Sequence, residues 1–127
     1  MNTFNKIIAG LELAQIGWVI PNMYATAEFL KNALGIYGFP EPEQVRAQDL
    51  NMTYYGNVVA GEWLTTQTFN GGTFIELVQP LSGQSMFHDY LTKYPVGGIQ
   101  HMAFRLPVSR FEATTNELSK QGFAIIS

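Results

Sequence analysis

The sequence predicts an α+β fold built from two related modules, and two observations lead to this prediction. Residues 15–21, Gln-Ile-Gly-Trp-Val-Ile-Pro, return in degenerate form as residues 101–107, His-Met-Ala-Phe-Arg-Leu-Pro. Each copy is an apolar stretch that ends at proline and precedes a helix-like segment, which indicates a duplicated strand–helix unit. Three β-rich segments follow the first helix, so the first module has the order strand, helix and three strands.

Module one covers about residues 11–81 and opens with a buried strand over 14–20. A helix is predicted over 23–34, because Asn22 is a suitable N-cap and Gly35 is a suitable C-terminal stop.

The second half of module one is predicted to be a loop followed by three strands. Two prolines interrupt residues 37–48, which we therefore expect to form the loop. The strands are expected over 50–55, 58–69 and 73–79, and the tight-turn signal Asn-Gly-Gly at 70–72 separates the last two.

A connector over residues 82–98 contains a short helix at about 85–93. Module two spans 99–127 and repeats the strand, followed by a helix over 109–121 with the capping-box pattern Ser-Arg-Phe-Glu. A strand over 123–126 is the last element expected, so this module is incomplete and lacks two strands.

The composition limits the classes of function. A chain of 127 residues is expected to form a single domain over residues 1–127. The net charge of −3 and the scattered basic residues argue against nucleic-acid binding, and the absence of cysteine excludes disulfides and thiolate sites. No apolar run or leader-like N-terminus points to a membrane, so a cytoplasmic protein is expected. Aromatic residues make up 13% of the chain, which predicts a lined pocket or a buried subunit interface.

Strand alternation places polar side chains of both repeats on corresponding faces. Gln15 shares a face with Val19, and His101 occupies the matching position of the second copy, on one face with Arg105. The opposite, larger apolar faces are expected to pack on helices. Gln15 and His101 are therefore expected to point towards the same concave side of the sheet.

A third polar residue, Glu76, lies in the middle of an apolar strand and shares a face with Phe74. A carboxylate in such surroundings is costly unless it is paired or bound to a cation. Together with the Gln15 amide and the His101 imidazole, it suits a divalent ion such as Zn²⁺, Ni²⁺, Mn²⁺ or Fe²⁺. The alternative for each residue alone is structural: a histidine satisfied in the core, or a glutamate on an exposed edge strand.

Three stretches in this order resemble the vicinal oxygen chelate superfamily: residues 15–22, 74–80 and 97–104. Its members include glyoxalase I, methylmalonyl-CoA epimerase, extradiol dioxygenases and bleomycin-resistance proteins. The resemblance implies a pair of βαβββ modules whose strands curl into a cup-shaped sheet around a metal ion.

Carried over by position, the resemblance makes Gln15 the first-strand ligand of module one, Glu76 its last-strand ligand and His101 the first-strand ligand of module two. Many members have histidine at the position of Gln15, and glutamine there resembles the eukaryotic-type glyoxalase I arrangement. The fourth ligand, usually a glutamate, is expected beyond Ser127 and is absent from this chain.

The activity that the resemblance implies is that of a glyoxalase-like lyase or isomerase acting on a small oxygen-rich substrate. The metal stabilises an enolate while a base, here Glu76, removes a neighbouring proton. Val19, Phe74 and Arg105 are the expected pocket-lining residues, and Arg105 either pairs with an anionic substrate group or has a plain surface role.

Two other functions remain open at the level of sequence. One is a bleomycin-resistance-like protein that binds a small molecule without chemistry and without a complete metal site. The other is a truncated or degenerate domain that persists as a dimer. In all cases an open sheet edge in module two predicts a homodimer. His88, in the connector, is expected to be structural or solvent-facing.

Overall fold

The computed structural model of the protein describes residues 11–126. Seven strands and three α-helices follow each other along this part of the chain. They are β1 (Glu12–Val19), α1 (Met23–Leu34), β2 (Glu43–Arg46), β3 (Thr53–Tyr54), β4 (Asn57–Val58), β5 (Gly61–Asn70), β6 (Thr73–Gly83), α2 (Met86–Lys93), β7 (Gly98–Arg105) and α3 (Phe111–Lys120). None of these helices is long and apolar enough to cross a membrane.

Five of the strands form one curved, unclosed sheet in the order β2-β5-β6-β1-β7, while β3 and β4 form a separate hairpin. Strand β1 lies between β6 and β7, and it runs parallel to β6 and antiparallel to β7. The sheet therefore joins the first strand of module two directly to the first strand of module one. This architecture confirms the predicted α+β class and the curved sheet.

Helix α1 covers one face of the sheet and has the bounds that the sequence predicts. The Asn22 side chain accepts a hydrogen bond from the Ala25 backbone N–H at 3.0 Å, and Gly35 ends the helix in a left-handed conformation. Leu30 is fully buried and packs in one cluster with Ile20 and Leu77. The apolar face of β1 is thus buried against a helix, as expected.

Helix α2 covers part of the opposite face. Ser85 caps it by accepting hydrogen bonds from the first backbone N–H groups of the helix. Phe87 projects from α2 against Trp63, with ring centroids 4.9 Å apart, and joins a core cluster that includes Val19 and Val78. Both faces of the sheet are therefore packed, and α2 fixes the boundary of the site described below.

The region between α1 and β5 differs from the sequence prediction. Strand β2 lies inside the segment 37–48 that was expected to be a loop, and a 3-10 turn at Ala47–Leu50 replaces the start of the strand expected over 50–55. Four-residue β2 is held by its pairing with β5. Pairing between distant segments, rather than local periodicity, creates this strand, so the sequence pattern did not reveal it.

The end of β6 and the C-terminal region differ as well. Strand β6 continues through Pro80, which is possible because its pairing with β1 ends at Val78 and the proline needs no partner on that side. Helix α3 begins after a 3-10 turn, Val108–Arg110, without a side-chain cap, so the expected capping box does not form. Residues 123–126, expected to open a strand, are not in a strand.

Candidate functional site

The centre of the candidate site is Gly17, in the middle of β1. In the sheet register, Gly17 pairs with Glu76 on β6 and with His101 on β7. Directly paired residues of neighbouring strands project to the same face. The fold therefore brings two predicted ligands, from segments 25 residues apart (101 − 76), to either side of one glycine.

Glu76 and His101 are in contact across β1. His101 Nε2 lies 3.2 Å from Glu76 Oε1, and both side chains are mostly buried, with 29% and 22% exposed respectively. The other carboxylate oxygen, Oε2, accepts a hydrogen bond from the Thr65 hydroxyl at 3.1 Å. Both oxygens of the Glu76 carboxylate therefore have a partner, and the carboxylate is held in place rather than free at the surface.

The hydrogen bond at the other imidazole nitrogen sets the state of His101. Nδ1 lies in hydrogen-bond contact with Gln100 Oε1, which can only accept, so Nδ1 carries a proton. Nε2 then faces the Glu76 carboxylate. A lone pair facing a carboxylate is unfavourable, so the contact needs either a proton on Nε2 or a cation between the two groups.

The separation of the two donor atoms fits a divalent metal ion. Ligand bonds of about 2.0–2.1 Å place neighbouring donors roughly 2.8–3.4 Å apart, the shorter values in octahedral and the longer in tetrahedral coordination. The 3.2 Å between His101 Nε2 and Glu76 Oε1 falls within this range. It also fits a hydrogen-bonded ion pair without metal. The two donor atoms are therefore compatible with a bound metal ion. Without an ion, they can form a hydrogen-bonded ion pair with each other.

Gln15 lies one alternation along β1 from Gly17 and projects to the same face, paired with Phe74 and Ala103. Within residues 11–126, no three His, Asp or Glu side chains are grouped so that they could hold a metal ion. A metal site in this part of the chain therefore depends on two such ligands and the amide of Gln15.

The remaining predicted residues lie away from this contact. Val19 is fully buried in the core beside α2. Phe74 is half-buried and packs edge-on against Phe69, with ring centroids 4.9 Å apart. Arg105 is exposed and lies 3.9 Å from the exposed Glu12 carboxylate.

A cleft of about 290 Å³ opens beside Glu76, on the side of β5. Its lining includes Pro40, Glu41, Glu43, Thr65 and Gln67 together with Glu76. The Glu76 carboxylate therefore connects the buried contact with His101 to a space large enough for a small molecule.

Three site residues were missed by the sequence reasoning: Gly17, Thr65 and Gln100. An isolated glycine within a strand pattern indicates that another group approaches the backbone closely, and Gly17 is such a glycine. Thr65 and Gln100 carry no comparable signal, because their roles depend on pairing between distant segments.

Comparison with known proteins identifies the family of this chain. The family model described as Glyoxalase/Bleomycin resistance protein/Dioxygenase superfamily matches residues 14–127. A comparison with curated proteins gave no match.

Solved structures share the fold at low sequence identity. Methylmalonyl-CoA epimerase from Mycobacterium tuberculosis has a TM-score of 0.58 and 21% identity, with 87% of this chain and 64% of that chain covered. A mutant 4-hydroxymandelate synthase from Streptomyces coelicolor has a TM-score of 0.59 and 19% identity, with coverages of 90% and 31%. A hypothetical protein from Bacillus halodurans C-125 has a TM-score of 0.61 and 19% identity, with coverages of 89% and 70%. The chain thus spans less than two thirds of the epimerase and about a third of the synthase.

Proposed function

This chain belongs to the glyoxalase/bleomycin resistance protein/dioxygenase superfamily, and we propose that it binds a divalent metal ion through Gln15, Glu76 and His101 and contributes to lyase or isomerase chemistry. The observation that supports the proposal is the 3.2 Å contact between His101 Nε2 and Glu76 Oε1. It joins an imidazole and a carboxylate, two ligand types suited to Zn²⁺, Ni²⁺, Mn²⁺ and Fe²⁺.

An ion bound here would supply Lewis acidity, which would stabilise negative charge on a substrate oxygen. His101 would hold the ion through Nε2, while the Gln100 side-chain oxygen accepts a hydrogen bond from Nδ1. Glu76 Oε1 faces His101, so Oε2, the oxygen that Thr65 orients, is the atom that we assign as proton acceptor.

The substrate that we propose is a small, oxygen-rich molecule held in the cleft beside Glu76. The cleft of about 290 Å³ has room for a molecule of this kind. Glu41 and Glu43 line the same cleft, so a strongly anionic group is disfavoured there. We further propose a cytoplasmic location, which is the location expected from the sequence.

Elemental analysis of purified protein tests the proposal. We expect a stoichiometric divalent metal in the wild type, its loss in His101→Ala and Glu76→Ala, and weaker binding in Gln15→Ala. His88→Ala is the matched control, because His88 is the other histidine of the chain and hydrogen-bonds to Ser85 instead. Wild-type protein that stays metal-free after incubation with each ion, or His101→Ala protein that keeps its metal, contradicts the proposal.

Proton transfer is tested separately by hydrogen–deuterium exchange in D₂O. The probe is dihydroxyacetone, a small uncharged hydroxyketone that matches the proposed substrate class and carries exchangeable protons next to its carbonyl. We expect metal-loaded protein to accelerate exchange of these protons, and Glu76→Gln protein to exchange them at least about 100-fold more slowly.

A second candidate is a protein that binds a small molecule without chemistry. It is favoured by the absence of a third His, Asp or Glu ligand within residues 11–126 and by a Glu76–His101 pair that is satisfied without an ion. Tight ligand binding by metal-free protein, unchanged in Glu76→Gln, supports this alternative and contradicts the first.

A further inference from the structure

We propose that Gly17 is a positioning residue, whose missing side chain provides the space in which the His101 imidazole crosses β1 to reach Glu76. The inference deepens the proposed function, since it concerns the residues assigned to the metal, but its geometry does not require a metal. Gly17 is buried in the middle of β1, between the two strands that carry Glu76 and His101.

The His101 ring occupies the place where a side chain at position 17 would begin. A Cβ atom built on Gly17 lies well inside 3.0 Å of three imidazole atoms of His101, namely Cε1, Nε2 and Nδ1. Real Cβ atoms do not tolerate contacts this close. Alanine and the imidazole therefore cannot occupy this space together.

The His101 ring cannot move away easily, because neighbouring side chains surround it. Gln100 contacts Nδ1, Glu76 contacts Nε2, and the Phe87 ring lies with its centroid 6.1 Å from that of His101. A shift that relieves the clash with position 17 must break at least one of the two polar contacts. Alanine at position 17 is therefore expected to disrupt the Glu76–His101 pair, which spans the glycine.

The backbone itself does not call for glycine at this position. The glycines with positive φ do not include Gly17, which pairs with both neighbouring strands in extended conformation. Alanine at such a position ordinarily stabilises a protein, because it reduces the freedom of the unfolded chain. The requirement at position 17 is therefore one of space.

The β1–β7 ladder explains why the ring lies across Gly17. Gly17 pairs with His101 but the next residue, Trp18, pairs with Ile99, so Gln100 is an extra residue in β7. Such a bulge bends a strand and redirects the neighbouring side chains. Here the bulge precedes His101, and its extra residue supplies the acceptor for Nδ1.

A double-mutant cycle between positions 17 and 101 tests this proposal in protein without added metal. We expect Gly17→Ala to raise the unfolding equilibrium constant about tenfold or more in the wild-type background. In the His101→Ala background the same substitution should be neutral or stabilising. Arg105→Ala, at an exposed position on the same strand, is the control background. In it, Gly17→Ala should raise the unfolding equilibrium constant as much as in the wild type.

Two further readouts separate positioning from general stability. The ¹⁵N shifts of the His101 imidazole should move in Gly17→Ala, and metal affinity should fall at least about tenfold. If Gly17→Ala does not fold but the double variant with His101→Ala does, the proposal is supported. Equal destabilisation in both backgrounds, unchanged His101 shifts, or a double variant that also fails to fold overturns it.

The cycle also separates this inference from the proposed function. Coupling between positions 17 and 101 in a wild-type protein that binds no metal contradicts the metal site and supports the positioning role. A metal-binding wild type with no coupling contradicts the positioning role alone.

Discussion

At the scale of single residues, the sequence could identify the candidate ligands, but it could not identify the residues that contact them. Strand alternation placed Gln15 and His101 on one face, and in the sheet register Glu76 projects to that face as well. The repeat aligns Gln15 with His101 in sequence, yet the antiparallel ladder sets His101 opposite Gly17. Register between distant strands decides such contacts, and a repeat within one sequence does not contain it.

Gln100 gives the residue-scale prediction. Gln100→Ala removes the acceptor at Nδ1 of His101, so metal affinity should fall about 10–100-fold, as measured by competition with a chelating dye. Gln100→Glu should keep or increase the affinity, since a carboxylate accepts the same hydrogen bond. Gln44→Ala, at an exposed position of β2 outside the cleft lining, is the control and should bind metal as the wild type does. Unchanged affinity in Gln100→Ala contradicts the role given to this bond.

At the scale of elements, the sequence predicted correctly a helix whose ends are determined by its own capping residues. Helix α1 has the predicted bounds because Asn22 and Gly35 form its caps. Strand β2 was missed because only its pairing with β5 makes it a strand. The capping box expected before α3 did not form, since a 3-10 turn occupies those residues. Segments whose conformation depends on distant partners therefore lay beyond prediction from the sequence.

The cap of α2 gives the element-scale prediction. Ser85 is buried, accepts two backbone hydrogen bonds and contacts His88 Nδ1 at 2.7 Å. Ser85→Ala should therefore lower the free energy of unfolding by about 1–2 kcal/mol in urea titration. Ser119→Ala, at an exposed helical position, should change it by less than about 0.5 kcal/mol. Equal effects of the two substitutions argue against the cap.

At the scale of the whole molecule, the described chain leaves apolar surface uncovered along one edge. Strand β7 is the last of the sheet, and its side chains Ile99, Met102 and Phe104 are 56%, 60% and 48% exposed. Pairing with Trp18 and Ile16 places Ile99 and Met102 on the face that α1 covers elsewhere. An edge strand with an exposed apolar face favours association.

The whole-molecule prediction is therefore a homodimer in which this edge is covered by a second copy. Light scattering of the purified protein should give twice the chain mass of 14.2 kDa. Met102→Lys should shift the mass towards the monomer, whereas Leu34→Lys, at an exposed position on α1, should leave the dimer intact. A wild-type monomer, or equal dissociation by both substitutions, contradicts this assignment.

The central claim is that Gln15, Glu76 and His101 hold one metal ion, and anomalous diffraction from crystals grown with Zn²⁺ tests it most directly. The account predicts a peak about 2.0–2.2 Å from His101 Nε2 and from a Glu76 carboxylate oxygen, with the Gln15 amide turned towards it. A peak elsewhere, or none while His101 and Glu76 remain in direct contact, contradicts the claim.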